Sequence, residues 1–174
     1  VLNTMSYKIG DIDIVCKCSV RAWDLGTEDT VTLIKTPYPD KMTYDTLFWD
    51  FTYDTGDKTV HNLVFTDTFR SDSVDENGKW NPFTPPTIHL ESLKMFRVDE
   101  HGNKTARVEN ADYELGVEPN AGFQITMKKP FQGKLLVEYA TRYTLKPKAG
   151  QEHLGAAVSA RVDMEVWAES SIDG

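Results

Sequence analysis

Apolar residues recur at every second position through much of this chain, which is the period of a strand with one buried face. Ile12, Ile14, Cys16, Cys18 and Val20 alternate with mostly polar neighbours, so both cysteines fall in a core-facing phase. Stretches rich in Val, Ile, Thr, Phe, Tyr and Trp follow at 30–36, 46–54, 60–68, 87–98, 104–109, 122–128, 134–144 and 156–168, the composition that a pleated, half-buried surface favours. Between them lie DTGD at 54–57, DENGKWNPFTPP at 75–86, DEHGN at 99–103, EPNAG at 118–122 and KPKAG at 146–150, where Gly, Pro, Asn and Asp supply turn geometry. No stretch has the period of a long amphipathic helix, and ENADYELG has room for a turn or two at most.

Many short strands between such turns predict an all-β chain, a mostly antiparallel β-sandwich of the immunoglobulin-like kind. No connection reads as an interdomain linker. Residues 1–28 form a leading strand segment assigned to the same unit, with residues 29–174 as the main domain. Strand phase then isolates two charges. In 30–36 the apolar phase runs Val31, Leu33 and then Lys35; in 60–68 it runs Leu63, Phe65 and then Asp67. Ala156, Val158, Ala160, Val162, Met164 and Val166 share one face of the last strand. A charge buried alone costs several kcal/mol, so an inward lysine and an inward aspartate are better tolerated if they meet. The other reading places each at a strand end, where the core opens to water.

Composition narrows the function classes. With 40% hydrophobic and 26% charged residues, 174 residues suffice for one domain with a real core. A net charge of −8, with no more than two adjacent basic residues, argues against a nucleic-acid partner. No apolar run approaches the roughly 20 residues that span a bilayer. The start at Val1, without a signal-peptide pattern or other targeting sequence, is expected of an excised piece. Cys16 and Cys18 have no second pair nearby, so neither a disulfide framework nor a zinc site is expected. His61, His89, His101 and His153 lack ligand spacing, and the acidic turns DENGK and DEHGN lack a full calcium loop. No metal or cofactor is expected. No nucleophile elbow or phosphate loop is present, and the acids alone do not identify a glycosidase pair.

LIKTPYPD, LFWDFTYDTGDKTVHNLVFTDTF, SLKMFRVDEHGN, LLVEYATRYTL and HLGAAVSARV, in that order, resemble successive strands of the immunoglobulin-like domains of Gram-positive surface adhesins and pilins. The closest type is the collagen-adhesin binding domain and its isopeptide-forming fimbrial relatives. The resemblance covers roughly residues 30 to 168 and implies a domain of a cell-wall-anchored, extracellular bacterial surface protein with no enzymatic turnover. Such domains commonly join a buried lysine to an asparagine with the help of a buried acid. Burial disfavours the ammonium and leaves an amine nucleophile, while a protonated carboxyl polarises the carboxamide and ammonia leaves. By this resemblance Lys35 takes the lysine position and Asp67 the acid position, but Ala156 stands where the asparagine is expected. The cross-link is therefore expected to be absent, with Lys35 and Asp67 forming a buried ion pair instead. Three explanations stand for Ala156: natural loss of the bond, engineered replacement of the asparagine, or a shifted match in which Asn62 or Asn110 is the partner.

A bond of this kind between first and last strands would resist shear and limit the unfolded chain, as a disulfide does. The partners implied are neighbouring domains of the same surface protein and a host extracellular protein or glycan. Trp80 and Phe83, in the long turn beside Pro85, are candidates for an exposed recognition patch. A binding module that itself grips a host matrix protein or glycan is the competing reading. A β-sandwich carbohydrate-active enzyme is a further one, and needs a cleft with two facing carboxylates.

Overall fold

The computed structural model describes residues 2–9, 12–23, 31–41, 43, 45–70, 86–119, 121–143 and 160–172. Within them run β1 (Leu2–Ile9), β2 (Ile12–Trp23), β3 (Thr32–Pro37), β4 (Thr46–Arg70), β5 (Thr87–Val98), β6 (Lys104–Arg107), β7 (Tyr113–Glu118), β8 (Gly122–Met127), β9 (Phe131–Arg142) and β10 (Ala160–Ile172). Two single 3₁₀ turns, Pro39–Lys41 and Asn110–Asp112, complete the regular structure among the described residues. Among the described residues every pairing is antiparallel except that of β2 with β10, which is parallel. This is an all-β sandwich.

β4 organises it by serving both layers. Its first half lies between β3 and β9, and its second half between β8 and β10. Irregularities between Asp54 and Thr59, and opposite Glu169–Ser171, break its regular pairing. Gly56 and Asn62 sit there with φ of 60° and 53°, so bulges let the strand pass from one layer to the other. The two halves then face each other across the core: Phe65 lies 5.1 Å, centroid to centroid, from both Phe51 and Tyr53. Around these rings pack Leu33, Leu63, Ile125, Leu135, Val137 and Val166, each 2% exposed or less.

Three elements differ from the sequence expectation. The DTGD stretch does not end a strand; it bulges within β4, because Asp54 and Thr59 both stay beside β9, opposite Lys134 and Gln132. ENADYELG, read as having room for a helical turn or two at most, contains the single 3₁₀ turn Asn110–Asp112, but its second half opens strand β7. In β7 only Tyr113 is buried, so its pattern carries no alternation. β1 was not anticipated either, and it forms a hairpin with β2. β2 in turn runs alongside the whole of β10, from Ala160↔Ile12 to Ser171↔Trp23.

Candidate functional site: a buried lysine–aspartate pair

β3 and the second half of β4 lie in opposite layers, and their inward phases end on opposite charges. Lys35 follows Val31 and Leu33 into the core, and Asp67 follows Leu63 and Phe65. The lysine Nζ lies 2.7 Å from Oδ1 and 2.6 Å from Oδ2 of Asp67. Both side chains have no exposure to solvent. Of the two readings that strand phase left open, an internal contact is the one observed.

Aromatic side chains complete the enclosure. The Tyr139 hydroxyl donates to Asp67 Oδ2 in a very short hydrogen bond. Lys35 Nζ also sits 5.2 Å from the Trp49 ring centroid and 5.4 Å from that of Tyr139, within cation–π range. Trp49 is held by its own indole N–H, which donates to Thr141 Oγ1 at 2.8 Å. Complete burial pushes the Asp67 carboxyl above its ordinary value, outweighing the opposing effects of the Lys35 charge and of the hydrogen bonds from Lys35 and Tyr139.

The backbone of Asp67 is fixed from the other side by β8. Asp67 pairs with Phe123 and Thr68 with Gly122. Gly122 has φ of +147°, and a Cβ placed on it would lie 1.9 Å from the Asp67 carbonyl oxygen. Only glycine permits this approach. On the opposite edge, β10 sets Val166 directly across from Asp67 and Ala168 across from Phe65, and both are fully buried.

Ala156, Trp80 and Phe83 lie outside the described residues. Asn62 and Asn110, the alternative amide partners, are both exposed. Asn62 Nδ2 donates to Ser171 Oγ at 3.3 Å, and Asn110 Oδ1 accepts from Tyr113 at 2.8 Å, so each is engaged away from Lys35. Tyr139 was missed by sequence reasoning although a signal existed: it shares the inward phase of Leu135, Val137 and Thr141, and a hydroxyl in that phase needs a partner.

A second buried acid lies on the outer face of the same layer. Asp50 is 7% exposed, stands opposite Thr36 and Glu138 on its neighbours, and accepts a very short hydrogen bond from the Tyr38 hydroxyl. Burial raises its carboxyl above the ordinary range, against the lowering effect of that bond. Among the described residues no three His, Cys, Asp or Glu side chains gather as a metal site. The DEHGN turn closes the β5–β6 hairpin, with Asp99 accepting from the backbone of His101 and Asn103.

No protein-family model and no curated protein matches the chain. Two solved structures similar to it are the collagen-binding domain from a Staphylococcus aureus adhesin and the collagen-binding subdomain of the Enterococcus faecalis surface protein ACE. The first is 12% identical, covers 80% of this chain and 99% of its own, and has a TM-score of 0.43. The second is 12% identical, covers 84% and 99%, and has a TM-score of 0.40.

Proposed function

We propose that this chain is a structural and adhesive domain of a bacterial cell-wall-anchored surface protein, adhesin or pilin, carrying two of the three groups of an isopeptide site. In this reading Lys35 is the amine, Asp67 the promoting acid, and the amide partner is missing, so the pair stays an ion pair. The domain works outside the cell between neighbouring domains of its parent, and its partner is a host extracellular protein or glycan. Residues 1–28 belong to the same unit, a reading supported by the pairing of β2 with β10. The observation that carries the proposal is Lys35 Nζ placed on both Asp67 oxygens inside the core. Such a pair is weak evidence of stabilisation, since apolar residues of similar volume often serve as well. A raised acid beside an amine is what amide exchange requires.

With an asparagine supplied, the step balances. The Lys35 amine attacks the carboxamide carbon, the carbon–nitrogen bond of the carboxamide breaks, and ammonia leaves with the proton that the amine gives up. Asp67 lends a proton to the carboxamide oxygen and recovers it. The test is intact mass. The parent chain should show its calculated mass. Asparagine should be introduced singly at residue 156, the position given by the sequence resemblance, and at residue 166, opposite Asp67. At least one variant should lose one ammonia, and Lys35→Ala in the same background should prevent it. Retention of the full mass by both asparagine variants would overturn the assignment. An ammonia loss in the parent would mean that another amide already serves.

A further inference from the structure

The far end of the sandwich carries a feature that the lysine–aspartate pair does not use. A cleft of about 230 Å³ opens between the end of β5, β6, the Asn110–Asp112 turn and the β8–β9 connection. Arg97, Arg107 and Lys129 line it, with Asp112 the sole acid among its lining residues, in a chain whose net charge is −8. Met127 and Phe131 supply apolar lining.

The cations are differently held. The Arg97 guanidinium carbon lies 4.7 Å over the Phe131 ring, and its Nη1 donates to the Gln132 carbonyl at 3.2 Å. The contact with the ring restrains the guanidinium, and one such bond leaves most of its five N–H donors uncommitted. The Arg107 side chain makes no hydrogen bond or ion pair among the described residues, while its backbone pairs with Phe96 of β5. Lys129 bonds Asp112 at 2.9 Å while 76% exposed. Asp112 is held below the ordinary carboxylate range by Lys129 first, and also by the charges of Arg97 and Lys128.

We propose that this cleft binds one residue of a sulfated, uronate-containing glycan. A planar guanidinium held over an aromatic ring suits the bidentate hydrogen bonding of sulfate and carboxylate oxygens. The apolar lining suits the C–H face of a pyranose ring. The volume is below the range typical of drug-sized ligands, which fits a single ring. Charge density selects sugar over acidic peptide: three cations against the one acid, Asp112, leave two positive charges around space for one unit, which call for more than one negative charge on it. A single uronate residue bearing a sulfate supplies that with its carboxylate and its sulfate, whereas an acidic amino acid carries one. The proposal draws on the adhesive reading only for the source of the glycan, and a failure of the mass test leaves it standing.

The test is calorimetric titration of the whole chain at near-physiological salt with a heparin-derived tetrasaccharide, its desulfated counterpart and a polyglutamate peptide. The sulfated probe should bind, more weakly as salt rises, and the other two should bind at least about tenfold more weakly. Arg97→Ala and Arg107→Ala should each weaken binding by about tenfold or more, and Arg97→Lys by nearly as much, because lysine lacks the fork. Lys41→Ala, the same charge change elsewhere, should stay within about twofold. Arg107 is exposed, so its variant keeps the test valid if Arg97→Ala unfolds the chain. No binding of the sulfated probe, equal binding of polyglutamate, or equal losses in Lys41→Ala and Arg107→Ala would each overturn the proposal.

Discussion

Replacing Lys35 with methionine removes the charge facing Asp67 while keeping an unbranched side chain in the core. With Nζ at 2.6 and 2.7 Å from the two oxygens, the gross attraction at an effective dielectric of 20 is about 6 kcal/mol. Several kcal/mol of desolvation per ion already oppose it, so the intact pair contributes little net stability. The variant loses the attraction and keeps the desolvation of Asp67, at a cost of about 3–5 kcal/mol. Urea unfolding followed by fluorescence should show this in the extrapolated free energy. In a chain of this size it corresponds to a fall in Tm of roughly 6–20 °C. The double variant Lys35→Met, Asp67→Leu should return to within about 1 kcal/mol of the parent or exceed it. The pH dependence has a definite sign. The folded-state value of Asp67 is raised by burial, so its favourable contribution is complete below the unfolded carboxylate value and is lost as pH rises through the folded one. Without Lys35 that loss grows, and the deficit of the single variant should be largest at neutral pH and shrink in acid. A single variant within about 1 kcal/mol of the parent at neutral pH, or a double variant as unstable as the single, would refute the reasoning.

Tyr139→Phe removes the hydroxyl that donates to Asp67 and should cost about 1.5–3 kcal/mol in the same urea assay, the range for a hydrogen bond to a charged group. Gly122→Ala drives a methyl into the Asp67 carbonyl at a positive φ; it should cost about 3 kcal/mol or more and perturb the Asp67 and Phe123 amide resonances first. Thr141→Val leaves the Trp49 indole N–H, now bonded at 2.8 Å, without its acceptor, and should lower stability by about 1–3 kcal/mol. Asp50 also has a raised folded-state value through burial, so its favourable contribution fades as pH rises. Asp50→Asn should therefore gain on the parent between acid and neutral pH in parallel thermal melts.

The inward face of each central strand was legible because alternation is a local property. Val31, Leu33 and Lys35 declare a face within five residues, and Leu63, Phe65 and Asp67 do the same. Both charges were found inward, with no homologue needed. Strands without alternation were not legible. β7 exposes all but Tyr113, and a strand with neither face fully buried leaves no period to read. The single path of β4 was hidden for another reason: DTGD has the composition of a turn, and only its pairing with β9 makes it a bulge.

Phase gives a face but no address along the strand, and the candidate site turns on that difference. Ala156 and Val166 are ten positions apart, an even number, so the same alternation puts both on one face. Each two-residue step along a strand repeats the pattern while moving the side chain by about 6.5 Å, farther than a lysine can compensate when its Nζ is already held by an aspartate. The resemblance places the missing amide at 156, whereas the β4–β10 register sets Val166 across from Asp67. The paired asparagine variants turn this into a measurement, because attack requires the amine and the amide carbon to be in contact. Ammonia loss from the residue 156 variant alone would place Ala156 against Lys35, as the resemblance implies. Loss from the residue 166 variant alone would leave that register standing, and would assign Lys35, Asp67 and position 166 as the three corners of the site.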